Sequence, residues 1–70
     1  MMQNRVRKYR LKAGLSQAEV SRRTKIAVPN LSAIENNRRE AWPLARMRLA
    51  RALKRSESEL FPENGGQDAK

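Results

Sequence analysis

Apolar residues recur along the chain at three- and four-residue steps, in short bursts broken by Gly, Pro, Asn and Ser. No segment alternates cleanly between apolar and polar, and β-branched residues are sparse, so the pattern predicts helices and no strands. The first helix is expected over Asn4–Ala13, with Val6, Tyr9, Arg10 and Ala13 on one face. Gly14 is placed to end it in the left-handed conformation, after which Leu15 turns inward. The second starts at Ser16, where Ser16-Gln17-Ala18-Glu19 fits a capping box, and continues through Val20 and Ser21 to Thr24. The third spans Ala27–Asn36, with Leu31 and Ile34 toward the core. Pro29 falls near its second position, where a missing N–H has no intrahelical duty, so it marks a beginning and not a break. Asn37 is suited to the left-handed geometry that closes this helix. Trp42-Pro43 opens the fourth, whose apolar stripe is Leu49, Ala50 and Leu53, with Met47 or the stem of Arg46 covering the preceding turn. A very short fifth follows a second capping box, Ser56-Glu57-Ser58-Glu59, and Leu60 and Phe61 close the core.

The fold class expected is therefore all-α, a compact bundle of five short helices. The second and third are separated only by Lys25, Ile26 and the boundary residue Ala27. So short a joint makes the second of the pair leave at a steep angle, the helix-turn-helix geometry. Small Ser21 stands where the two helices cross, and Val20, Ile26, Leu31 and Ile34 pin them to a shared core. A unit of this kind can lay one helix across a phosphate backbone and push the other into the major groove.

Composition narrows the chemistry. Seventy residues hold one domain with no room for a second core, and a chain this short is only marginally stable. The absence of Cys and His removes disulfides, thiolate nucleophiles, His-based acid–base catalysis and the usual zinc ligands. No nucleophile–base pair is visible, so an enzyme is not expected, nor any cofactor. No apolar run reaches the roughly 18 residues of a membrane span, and no secretory signal is visible, so a cytoplasmic protein without a membrane partner is expected. Sixteen Lys and Arg against seven Asp and Glu give a net charge of +9, and eleven of the sixteen are Arg. Residues 1–61 carry fifteen basic and five acidic side chains, net +10. The remaining stretch, 62–70, is slightly acidic, contains Pro62, Gly65 and Gly66, and is expected to form a flexible tail outside the domain at 1–61. A polyanionic partner follows from the charge.

Several motifs now stand in order: Arg10; Gly14-Leu15-Ser16-Gln17-Ala18-Glu19; Leu31-Ser32-Ala33-Ile34-Glu35-Asn36; Leu49-Ala50-Arg51-Ala52-Leu53; and Ser56-Glu57-Ser58-Glu59-Leu60-Phe61. On these, residues 4–61 resemble the Cro/repressor-type (XRE-like) helix-turn-helix family, the lambdoid-phage repressor-like domains of bacterial and phage transcription regulators. The resemblance implies a lambda repressor-like DNA-binding fold, a bacterial or phage origin, and work on double-stranded DNA at the nucleoid. It implies that Gln17 contacts phosphate, that positions 28, 29, 30, 32 and 33 face the groove, and that Asn36, Arg38 and Arg39 grip the backbone. It also implies a structural ion pair between Arg10 and Glu35.

The side chains at the groove-facing positions give that surface its character. Asn30 can pair with adenine N6 and N7, Val28 and Pro29 can touch thymine methyl groups, Ser32 can donate or accept, and Ala33 permits close approach. No Arg or Gln lies between 28 and 33, so the commonest guanine contact is missing and direct readout should lean to A·T. Phosphate contacts and DNA shape then carry more of the selectivity.

Departures from the family pattern fall at the turn. Lys25 stands where Gly is usual; held left-handed it costs roughly 1 kcal/mol, unless the turn takes another shape. Ala27 stands where a Ser or Thr cap is common and has no side chain to cap with. Arg46 replaces a frequent core aliphatic. Arg22, Arg23, Arg46, Arg48, Arg51, Lys54 and Arg55 are each expected on solvated faces, whereas Arg5, Arg7 and Lys8 have a better case for backbone contact. Tyr9, Trp42 and Phe61 stand at core spacings, too few to stack single-stranded bases.

The family's dimer surface maps to Leu44, Ser56, Ser58 and Glu59, a polar stretch that implies a weak homodimer or one formed only on DNA. The function expected is sequence-specific binding of duplex DNA by a small regulator, a repressor, with helix 27–36 in the major groove. The alternative is a protein-interaction module of the same fold, such as the antitoxin of a toxin–antitoxin pair or a phage anti-regulator.

Overall fold

The computed structural model describes residues 4–62, and the expected tail lies outside the described residues from residue 63 onward. Five helices follow one another with no strand among the described residues: α1 (Val6–Lys12), α2 (Gln17–Thr24), α3 (Val28–Glu35), α4 (Pro43–Leu53) and α5 (Glu57–Leu60). None is long and apolar enough to cross a membrane. α4 packs against α1, α2 and α5, and α3 packs against α2. Val6, Val20, Leu31, Ile34, Ala45, Leu49 and Leu60 are fully buried where these helices meet, and Ile26, Ala41, Leu53 and Phe61 complete the core. The ends of the domain meet where the Arg5 amide donates to the Leu60 carbonyl at 2.7 Å.

The capping chemistry explains most of the boundaries. Ser16 and Ser56 each accept from the amide of a Glu three residues on, at 3.0 and 3.1 Å. At Ser56 the box is complete, since Glu59 also accepts from the Ser56 amide at 2.9 Å. That bond to the Ser56 amide, together with the nearby Arg55 charge, holds the Glu59 carboxyl below the usual carboxylate range. At Ser16 the expected box is only half made. Glu19 turns instead to Arg22 at 2.7 Å and Arg23 at 3.5 Å, because two cations one turn ahead compete for its carboxylate.

Three further expectations are corrected. α1 ends at Lys12, so Ala13 lies outside the helix and is exposed. Asn4 is not its first helical residue but braces the start from outside, accepting from the Val6 amide at 3.1 Å. Three Arg expected in solvent are engaged. The Arg46 guanidinium covers the Phe61 ring at 4.9 Å and meets Glu57 at 3.6 Å, while Met47 stays 39% exposed, so of the two it is Arg46 that lies against the core, at its Phe61 edge. Arg48 donates to the Thr24 carbonyl at 3.2 Å, and Arg55 covers the Tyr9 ring at 4.6 Å. With so few large apolar residues, the arginine stems and faces extend the core.

Gly14 adopts φ 74°, as its place after α1 requires, and Asn37 adopts φ 59° after α3. Lys25 and Lys54, at the ends of α2 and α4, are also left-handed, at φ 66° and 56°. For an L-residue with a long side chain each costs roughly 1–2 kcal/mol.

Candidate nucleic-acid interface

The path from α2 into α3 is set by a few local bonds. The Thr24 hydroxyl donates to the Val20 carbonyl at 2.7 Å and accepts from the Ile26 amide at 3.3 Å. The same buried oxygen thus ends one helix and starts the turn. Left-handed Lys25 reverses the chain, and Ile26, 4% exposed, wedges it into the core. Ala27 then occupies the N-cap of α3 with no side-chain bond, and Pro29 falls within the first turn. Helix α3 therefore begins without a cap and is held by what packs beneath it.

What packs beneath it is strong. Leu31 and Ile34 are fully buried, and Glu35 is 8% exposed. Arg10 Nε donates to Glu35 Oε2 at 2.7 Å and Arg10 Nη2 to Oε1 at 3.2 Å, a two-pronged pair with both side chains buried. Arg10 Nη1 also donates to the Leu15 carbonyl at 2.8 Å. This guanidinium therefore fastens α1, the loop before α2 and the end of α3 together. Asn4 adds a second clamp, donating to the Ile34 carbonyl at 2.7 Å and to Asn37 Oδ1 at 3.2 Å. Sequence reading missed this clamp; the available signal was an Asn two residues before the first apolar residue of a helix, a common capping place.

The outer side of α3 is open. Val28 and Pro29 are exposed; Asn30, Ser32 and Ala33 are half-buried. Asn36 folds back, donating to the Ser32 carbonyl at 3.0 Å and lying 3.4 Å from its hydroxyl. The Ala33 carbonyl accepts from the amides of Arg38 at 2.8 Å and Arg39 at 3.3 Å, which turns the following loop alongside the helix. Arg38 is exposed and has no carboxylate partner among the described residues. The Arg39 guanidinium lies over the Trp42 ring at 4.9 Å and reaches Asn30 Oδ1 at 3.5 Å. Trp42 thus steadies an Arg beside α3, a role its core-like spacing did not reveal. Gln17 sits at the first position of α2, but its side-chain amide donates inward to Glu35 Oε1 at 3.1 Å.

The structure therefore gathers Asn30, Ser32, Ala33, Asn36, Arg38 and Arg39 at one side of α3 and the loop after it, and gives Gln17 a partner in the buried ion pair. Among the described residues no three His, Cys, Asp or Glu come together to hold a metal. No curated protein matches the chain. A family model described as Helix-turn-helix matches residues 6–60, from the first residue of α1 to the last of α5. With that match over most of its length, and with α2, the Lys25 turn and α3 joined as described, the chain belongs to the Cro/repressor-type helix-turn-helix family of DNA-binding regulators.

Proposed function

We propose that this protein is a small transcriptional regulator, a repressor, that binds double-stranded DNA sequence-specifically with α3 in the major groove. The observation that carries this reading is the two-sidedness of α3. Its inner side is fixed by Leu31, Ile34 and Glu35, and its outer side is uncovered and flanked by Arg38 and Arg39. On this reading Val28, Pro29, Asn30, Ser32 and Ala33 meet base edges, and Gln17, Asn36, Arg38 and Arg39 meet phosphates. Gln17 reaches a phosphate with the second N–H of its side-chain amide, the first being held by Glu35, or by releasing Glu35. Arg39 positions Asn30 through the 3.5 Å contact while keeping donors for the backbone. Two copies act on half-sites one DNA turn apart. Exposed Leu44 lies at that dimer surface, where Ser56 and Glu59 already bond each other, so association is weak without DNA.

Selection of bound duplexes from a random pool supplies the preferred site. Affinity then falls steeply with salt, because phosphate contacts release counterions. Asn30→Ala lowers the preference for that site over random duplex by about 1–3 kcal/mol. Arg38→Ala weakens both duplexes alike and reduces the salt slope by about one. Identical behaviour of the two variants on both duplexes overturns the assignment.

A further inference from the structure

A second concentration of positive charge lies at the other end of α2 from Gln17, about 12 Å along the helix axis. Here the end of α2 and one side of α4 border an open cleft of about 380 Å³ lined by Arg23, Thr24, Lys25, Arg48, Arg51 and Ala52. We propose that this cleft binds a short polyphosphate chain, free or carried by a nucleoside.

Four cations line the cleft and no carboxylate does. Their neutralisation is poor. Lys25, Arg48 and Arg51 have no ion-pair partner among the described residues. The one carboxylate near Arg23 is Glu19, 3.5 Å away and already held by Arg22 at 2.7 Å. Arg48 is fixed across the cleft by its bond to the Thr24 carbonyl, which leaves the rest of its five-donor fork unused. Like charges held around a concavity repel one another, and low-dielectric walls focus their field on any anion that enters.

The backbone supplies an independent observation. Lys25 stands at the cleft in a left-handed conformation that Gly would adopt without strain. A left-handed residue is what ends α2, so the helix ending itself fixes a cation at the cleft. The volume falls at the small end of ligand sites, about 300–1,000 Å³. It suits a compact ligand with closely spaced charges, and arginine forks match phosphate oxygens two at a time.

The inference does not depend on the DNA reading and is tested apart from it. Titration calorimetry of the full chain with sodium tripolyphosphate, at physiological ionic strength, should show saturable one-to-one binding. Lys25→Gly and Arg51→Ala each weaken it about tenfold, the loss of one charge-assisted contact. Arg38→Ala leaves it unchanged. Lys25→Gly also raises the thermal midpoint, so its loss of binding is not a loss of fold. ATP in a parallel titration identifies the carrier: tighter binding than tripolyphosphate indicates a nucleoside polyphosphate, equal binding the free chain, and both support the proposal. No saturable binding of either compound overturns it. So does binding weakened by Arg38→Ala but not by Lys25→Gly and Arg51→Ala. The proposal also falls if Arg51→Ala weakens random duplex as much as Arg38→Ala does, for the cleft is then part of the nucleic-acid surface.

Discussion

The two ends of α3 are built in opposite ways. At its C-terminal end every element bonds to something. Glu35 holds Arg10 and Gln17, the Ile34 carbonyl takes Asn4, and Asn37 receives a second bond from Asn4. At its N-terminal end Ala27 offers no cap and Lys25 is strained. Helix position is thus fixed from one end and from beneath, while the opening turn has no side-chain cap, and its one polar side chain, Asn30, is met only by Arg39 at 3.5 Å. Stability is concentrated away from the opening turn.

The largest test of this contrast removes the closed end. Glu35→Ala leaves the Arg10 guanidinium buried without its anion and lowers unfolding free energy by about 3–5 kcal/mol in urea titration. In a domain with only about 5–15 kcal/mol in total, that approaches unfolding. Replacing the pair together, Arg10→Met with Glu35→Leu, restores most of the loss, because the cost lies in stranding a charge and not in lacking the pair. A loss below about 1 kcal/mol for Glu35→Ala breaks the comparison, since a surface pair would behave that way.

The open end should respond with the opposite sign. Lys25→Gly stabilises by about 1 kcal/mol, the relief of left-handed strain less the greater entropy of Gly in the unfolded chain. The smallest effect is expected from Ala27→Ser, which supplies the missing cap and adds about 0.5–1 kcal/mol. Ala27 already has the extended backbone of a cap, at φ −58° and ψ 144°, so Ser has no geometry to correct. Thermal unfolding measures both, and two unchanged midpoints mean that the turn is not the weak end.

Much of this architecture could be read along the chain because its signals are local. Gly14, Asn37 and the Ser56 box lie beside the boundaries they make, and each acts through bonds within a few residues. The buried positions Val20, Ile26, Leu31 and Ile34 follow from helical spacing. The Ser16 box failed where two signals competed, since Glu19 can reach either the amide behind it or the arginines ahead. Ala13 failed for want of length: an apolar residue next to a terminating Gly need not be covered when the helix stops one residue earlier. The residues at the candidate interface were legible by type and order. Their present partners were not, because Gln17 meets Glu35, and Arg39 meets both Asn30 and Trp42, only after the loops close.

The sequence alone determined an all-helical bundle, the order of its elements, the excess of positive charge and the motif order that marks its family. Each depends on residue type and short spacing, which do not require knowing where the chain goes. Tertiary structure decided which arginines are structural and which are free. A guanidinium on a long stem covers Phe61 or Tyr9, bridges to the Thr24 carbonyl, or stands in solvent according to what another helix brings within reach. That choice is made between residues far apart in the chain, where local spacing carries no information.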